Sequence, residues 1–364
     1  MTYAVLSDLH CHSWSLFAKT GSDGVNGRLR IILNEAKRAA KELLKAGGKV
    51  MVIAGDVFHV RGSIDPEVLN PTQSVIAEIL DMGITIYAIP GNHDLKSKDT
   101  TELGSAIQTL AQTSSTKGKF IVVNEPQLIH TDDDKYFGFV PWRASIDDLV
   151  RDLGQIAHAS GALDETDVFI HAGIDGILPG VADHGLSDAR LAKFGFRHVF
   201  AGHYHNHKVM QGGVISIGAT THQTWGDIDS KAGFLLVDDN GGVRFMDTHA
   251  PKFIDVSGRD EDEIKLLCDG NYIRFRGAQM TSEDLQELKT FFETHGALGT
   301  SIQVPPAQTA TRQASAPVKS GQSLGQSVAS YVDKAELPQH IDREEVKRQA
   351  ADVLKTSQAV YEEA

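Results

Sequence analysis

Five short apolar runs in the first two-thirds of the chain each lead into a polar tag, and the tags share one chemistry. YAVLS at residues 3–7 leads into Asp8-Leu9-His10, and KVMVIA at 49–54 into Gly55-Asp56. ITIYAIP at 84–90 leads into Gly91-Asn92-His93-Asp94. DVFIHAG near 167 carries His171, and HVFA at 198–201 leads into Gly202-His203-Tyr204-His205. Longer amphipathic segments lie between the early runs. In RLRIILNEAKRAAKELLKAG the apolar residues Leu29, Ile32, Leu33, Ala36, Ala40, Leu43 and Leu44 recur at helical spacing and stop at Gly47-Gly48, and NPTQSVIAEILDMG from Asn70 predicts a second helix. Buried strands alternating with helices predict an α/β sandwich with several parallel strands. In such sheets, sites form in the loops outside the strand carboxyl ends, which is where the five tags fall.

The tags are a coherent ligand set. Carboxylates, imidazoles and an amide oxygen suit Mn²⁺, Fe²⁺ or Zn²⁺ rather than a thiolate site, and the chain has 16 His against only 2 Cys. The alternation in Asp8-x-His10 and His203-x-His205 predicts that each pair shares one face of an extended segment. Asp56 has two oxygens and could bridge two dications, which sit on the order of 3.5–4 Å apart in two-metal hydrolases. Glycines before Asp56, Asn92 and His203 permit sharp turns and close backbone approach. The formal net charge of −13 argues against holding a polyanion by bulk charge. No apolar run approaches the roughly 18 residues that span a bilayer. The start, MTYAVLSDLH, has no basic stretch followed by an apolar one, and two distant cysteines build no disulfide framework; both point to a reducing, cytoplasmic setting.

The ordered set DxH…GD…GNHD…H…GHxH, over residues 5–205, resembles the calcineurin-like metallophosphoesterase superfamily. In detail the chain is most similar to its SbcD-type exonuclease subunits, through IAGDVFHVRGSIDPEVL, with His59, and through SIGATTHQTWGDIDSKAGFLLVD at 216–238. The resemblance implies a four-layer α-β-β-α sandwich. It implies that Asp8, His10, Asp56 and His205 hold one metal and Asp56, Asn92, His171 and His203 the other. His93 would face the substrate as general acid or as an electrophile at the leaving oxygen, oriented by Asp94. It also implies two divalent ions, Mn²⁺ favoured and Fe²⁺, Zn²⁺ or Mg²⁺ as alternatives. The activity implied is 3′→5′ exonuclease and endonuclease action on DNA, within a repair complex with an SbcC-type coiled-coil ATPase, as a homodimer and without a membrane. Two competing readings use the same residues: a stand-alone nucleotide or small-molecule phosphodiesterase or phosphatase, and a non-catalytic DNA-end or ATPase-binding subunit.

The expected organisation is a nuclease domain over 1–250, a capping domain over 251–300, a linker over 301–323 and a helical docking module over 324–364. From Gly212 a meander of strands (VISIGAT, GFLLVDD, GVRFMDT) is predicted. The cap reads as strand, acidic turn, strand and a helix starting near Thr281 or Ser282. Among single residues, a substrate-side role for His59 is weighed evenly against a packed loop histidine. His12, His207 and His222 read as histidines outside the ligand set, and Cys11 as a small buried or partly exposed thiol. Trp14, Trp142 and Trp225 read as core or loop anchors before base-stacking surfaces. Arg274 and Arg276 share a strand face suited equally to phosphate contact and to edge protection.

Overall fold

The computed structural model describes residues 2–97, 100–131, 135–305, 323–335, 337–338 and 341–362. In chain order the elements begin β1 (Tyr3–Leu6), α1 (Gly27–Lys45), β2 (Val50–Ala54), α2 (Pro66–Asp81), β3 (Thr85–Ile89), β4 (Leu95–Ser97), β5 (Thr100–Ser105), β6 (Phe120–Val122), β7 (Gln127–His130) and β8 (Tyr136–Val140). They continue with α3 (Ile146–Ala159), β9 (Thr166–His171), α4 (Asp188–Ala192), β10 (His198–Gly202), β11 (Lys208–Val209), β12 (Val214–Ser216), β13 (Gly233–Val237) and β14 (Val243–Asp247). The last are β15 (Phe253–Asp255), α5 (Glu261–Cys268), β16 (Tyr272–Arg276), α6 (Ser282–Thr294), β17 (Gly299–Gln303), α7 (Leu324–Lys334) and α8 (Arg343–Glu362).

Two six-stranded sheets face each other, in the orders β14-β13-β1-β2-β3-β6 and β11-β12-β10-β9-β8-β7. The runs β1-β2-β3-β6 and β8-β9-β10-β12 are parallel, with antiparallel strands at the edges. The strands read as unbroken apolar runs because both faces are buried and alternate side chains serve different cores. In β1, Ala4 and Leu6 pack with α1 and α2, while Tyr3 and Val5 join Phe137, Phe139, Phe169 and Phe200 between the sheets. A third core joins the second sheet to α3 and α4 through Val168, Ile170, Leu149, Leu153 and Leu191. Helix, sheet, sheet, helix is the expected four-layer arrangement.

Asn26 caps α1, accepting the backbone N–H of Arg28 at 2.9 Å, and the helix buries Leu29, Ile32, Leu33, Ala36, Ala40 and Leu43 on the first sheet. α2 starts at Pro66, earlier than the expected Asn70. Asp65 caps it and accepts the Glu67 N–H at 3.1 Å, and Pro66 in the first turn loses no helical hydrogen bond. The expected meander past Gly212 is not one: β12 pairs in parallel with β10 in the second sheet, and β13 and β14 edge the first.

Residues 253–303 form a three-stranded parallel sheet, β15-β16-β17, with α5 and α6 as the connections that parallel pairing requires. The acidic segment expected as a turn is therefore a helix: Asp260 caps α5 and Glu261, Asp262 and Glu263 fill its first turn, where negative charge suits the helix dipole. β17 runs to Gln303, so 301–303 complete a sheet rather than begin a linker. Residues 306–322 of the expected linker lie outside the described residues.

The chain divides into two compact units, one covering residues 1–277 and 282–303, the other 278–281 and 304–364. In the second, a Ser323–Gln326 capping box starts α7, and Arg343 at the start of α8 donates to the α7 carbonyl of Val332 at 2.5 Å and to that of Ala335 at 2.8 Å. Among the described residues no helix is long and apolar enough to cross a membrane.

Candidate metal centre

The carboxyl ends of β1, β2 and β3 in one sheet and of β9 and β10 in the other converge. Their loops bring the sequence tags together into three groups whose ligand atoms lie within 4.8 Å of one another: Asp8, His10 and His205; Asp56, His171 and His203; and His10, His59 and His93. Asn92 joins the second group, its Oδ1 3.0 Å from His203 Nδ1 and 3.3 Å from His171 Nε2. Oδ2 of Asp56 lies 3.5 Å from His10 Nε2 and 3.3 Å from His171 Nε2, so one carboxylate oxygen touches a member of each of the first two groups.

The backbone that achieves this is unusual. Asp8, His10, Asp56 and His203 all have positive φ (52°, 47°, 53° and 99°), a conformation rare outside glycine that clusters at functional sites. The expected extended alternation of Asp8-x-His10 and His203-x-His205 is thus replaced: β1 ends at Leu6 and β10 at Gly202, and left-handed residues turn the side chains inward. Glycine is required next to them. A Cβ at Gly55 (φ 96°) would sit 2.1 Å from His171 Nδ1, and one at Gly91 2.1 Å from Asp56 Oδ1.

Hydrogen bonds fix which atom each side chain offers. Carbonyls only accept, so His171 Nδ1 donates to Ala54 O (2.8 Å) and His93 Nδ1 to His59 O (2.6 Å). His205 Nδ1 pairs with Asp227 Oδ1 at 2.8 Å. In each case Nε2 is left for the site, and the bond at Nδ1 fixes the ring's orientation, as it does for metal-binding imidazoles in general. Asp8 Oδ2 accepts from Ser7 Oγ (2.6 Å) and from the His203 N–H (2.9 Å). Among the described residues its buried Oδ1 has no hydrogen-bond partner. A buried, orphaned carboxylate oxygen among imidazoles and a second carboxylate is costly unless a cation meets it, and in this respect the donor set fits divalent metals.

Protonation follows the same geometry. Burial alone would raise Asp8, but the imidazole of His10, its Nε2 3.7 Å from Oδ1, and the charges of His171 and His205 hold it well below the usual carboxylate range. Burial would lower His171, yet Asp56 and Asp8 raise it to about 9. Burial and the neighbouring histidines lower His59 and His203 to about 4 each. Metal binding would displace the proton on His171.

His93 and His59 are half-buried and stack at 5.1 Å along one side of a pocket of about 150 Å³. Asp94 does not reach the His93 ring. Its carboxylate accepts the backbone N–H groups of Gly91 (2.9 Å), Phe58 (3.0 Å) and Val57 (3.3 Å), tying the β2 and β3 loops together. The expectation that Asp94 orients His93 is corrected: the His59 carbonyl takes that bond. Burial and the charge of Asp56 push Asp94 up to about 7.

One residue at the site escaped the sequence reading, and two more were read with other roles. Asp227 lies far along the chain in a Thr224 capping box, with no local tag. Trp14 lines the pocket, and Trp142 lies 5.2 Å from the His203 ring, where packing roles were expected for both. Trp225 is an anchor, edge-on to Phe253 at 4.8 Å and 5.2 Å from the Arg274 guanidinium. His207 bonds Ser216 O (2.9 Å), and His222 bonds Ser230 O (3.1 Å) and the Phe253 N–H (3.2 Å), so both have structural partners. Arg274 and Arg276 pair with Asp255 at 2.8 and 2.5 Å. Cys11 is a buried thiol, as expected, and burial pushes it up to about 12.

A two-sheet sandwich with aspartates, histidines and an asparagine gathered at the carboxyl ends of its central strands is the architecture of a metal-dependent phosphoesterase. The sequence pattern of the calcineurin-like phosphoesterase family matches residues 1–207, and the chain belongs to that family of hydrolases. Over 232 residues it is 25% identical to "Exonuclease subunit 1" of Enterobacteria phage T4, covering 63% of this chain and 64% of the relative, less than two-thirds of its length. Similar solved structures include a protein from Thermus thermophilus (TM-score 0.41, 8% identity, 68% of this chain and 99% of that one). A dimetal phosphatase from Danio rerio also matches (TM-score 0.36, 12% identity, 65% and 91%).

Proposed function

We propose that the chain is a DNA nuclease, hydrolysing phosphodiesters with 3′→5′ exonuclease and endonuclease action as the nuclease subunit of an SbcCD-type complex. The observation that carries this is the double donor set meeting at Asp56, in a chain similar over 232 residues to a phage exonuclease subunit. Asp8, His10, Asp56 and His205 would hold one dication and Asp56, Asn92, His171 and His203 the other, with Mn²⁺ favoured. What a bound pair contributes is Lewis-acid polarisation of the phosphoryl group and acidification of water at neutral pH.

The chain's own residues do the rest. His93 presents Nε2 to the pocket because Nδ1 is held by His59 O. Burial lowers its pKa, so it needs the negative charge of a bound phosphodiester to take a proton on Nε2 and give it to the departing oxygen. His59, stacked on that ring, keeps it in place and faces the same substrate. Residues 253–303 stand as the cap, and α7 with α8 as the element that docks a coiled-coil ATPase; DNA and a second copy of the chain complete the partners. The test is Mn²⁺-dependent cleavage of linear and hairpin duplex DNA, with a small phosphodiester in parallel. Cleavage of DNA supports the reading. Turnover of the small ester with intact DNA selects the stand-alone phosphodiesterase, and full metal occupancy with no cleavage of either selects a non-catalytic subunit.

A further inference from the structure

Beside the metal pocket lies a second, larger cleft of about 540 Å³. Trp14 is in the wall of both. On the cleft side Phe58, Val60, Ile64, Pro66 and Val68 give it an apolar wall, with His12, Ser13, Ser63 and Asp65 as the polar part of the lining. Val60 is 52% exposed, an aliphatic side chain left facing water at a site-side loop. Trp14 is half-buried, packed on His12 (ring centroids 4.0 Å apart) and edge-on to His59 (4.5 Å). His59 in turn lies 5.1 Å from His93 and 5.3 Å from His10. One imidazole therefore separates the indole from residues of the metal pocket. Arg28, buried and bonded to Gln223 O at 2.5 Å, places its guanidinium 5.4 Å from the indole and steadies it.

We propose that this cleft is a nucleoside subsite: when a phosphate of the substrate occupies the metal pocket, the base of an adjoining nucleotide packs against Trp14. The inference rests on the nuclease reading above and adds what lies next to the phosphate. Two properties select the occupant. Among the described residues no lysine or arginine lines the cleft and the carboxylate of Asp65 does, so a phosphate is disfavoured there, whereas the π-face of a base suits an indole beside Val60, Ile64 and Val68. The cleft also adjoins the metal pocket across one shared ring, so a ligand held at both must carry a phosphate and an aromatic group a single residue apart. A nucleotide has that form. Stacking on an aromatic side chain accepts every base, so the subsite strengthens binding by roughly 10- to 100-fold without selecting sequence.

The test compares the full-length protein's affinity for dAMP and for 2-deoxyribose 5-phosphate by calorimetry with Mn²⁺ present, alongside cleavage of DNA. Wild type should bind dAMP on the order of 10-fold or more tightly. Trp14→Ala should bind both alike, at the level of the sugar phosphate, with Mn²⁺ content unchanged. Val60→Asp alters an exposed position and guards against a folding defect in the first variant; it should weaken dAMP several-fold and leave the sugar phosphate alone. A wild type that does not discriminate, or a Trp14→Ala protein that keeps the full preference, overturns the subsite. Failure of the nuclease reading looks different: Trp14-dependent preference for dAMP with no DNA cleaved under any condition keeps the subsite and assigns it to a nucleotide-directed enzyme.

Discussion

Asp227 accepts the Nδ1 hydrogen bond of His205 and the backbone N–H groups of Gln223 (2.7 Å) and Thr224 (2.8 Å), so one carboxylate holds both an imidazole and the loop it belongs to. Asp227→Ala should weaken metal binding about 10- to 100-fold, read by titration of the apoprotein. Asp227→Asn, which keeps one oxygen, should lose less. His93 makes a different kind of contribution. It lies outside the two proposed sets of metal ligands, so His93→Ala should keep its metal while hydrolysis falls on the order of 10²-fold or more. A variant with wild-type rates would remove His93 from the chemistry. Asp56→Ala should empty both positions, because its Oδ2 lies against both groups; full occupancy in metal analysis would refute the shared role.

Among elements, the two halves of the site belong to different sheets, and a buried cluster ties those sheets at the end away from the loops. Asp167 at the start of β9 accepts from the Tyr3 hydroxyl on β1 and from Arg197, and pairs with His198 Nδ1 on β10 at 2.8 Å. Removing one member of a buried pair leaves the others unmet, so Asp167→Ala should lose about 3–5 kcal/mol in denaturant unfolding. Burial alone would raise Asp167, but bonds from His198, Arg197 and Tyr3 hold it below the usual range. Its stabilisation is therefore complete above about pH 4 and is lost as pH falls further, since the unfolded chain takes up the proton first. Tyr3 shows the opposite sign: burial and Asp167 raise it well above 10, so its contribution is complete below about pH 10 and disappears on further alkalinisation. Urea midpoints at pH 3–6 should show a flattened acid limb in Asp167→Asn.

For the whole molecule, the four apolar cores among the described residues lie within residues 3–302, inside the first compact unit. A chain ending at Pro305 should therefore keep the main thermal transition and metal-dependent hydrolysis of a small phosphodiester. If α7 and α8 dock a partner, only stimulation by that partner should vanish; loss of the melt itself would show that the first unit depends on them. Metal should contribute at this scale as well. With Asp8 and Asp56 buried side by side, chelation should lower the melting temperature. Saturating Mn²⁺ should restore it, adding about 2.7 kcal/mol of stability at a free concentration of 100 Kd.

The order of strands and helices and the chemistry of the site were legible in the sequence because both are local. Strands buried on two faces read as apolar runs, and each ligand directly follows such a run. Gly55 and Gly91 could be read as points of close approach, since a missing Cβ is visible in the letters themselves. Helix starts set by a distant-looking Asp65-Pro66 cap, and the α5 helix behind an acidic stretch, were less legible because capping and dipole effects outweigh average propensity there. Tertiary structure alone decided which loop atoms meet. Nothing in GDID announces that Asp227 holds His205, nor in SDLHCHSW that Trp14 stands between a metal pocket and an apolar cleft. Such contacts join residues on different strands and loops, and their distances are set by how two twisted sheets pack, a property of the folded chain that no short window of sequence contains.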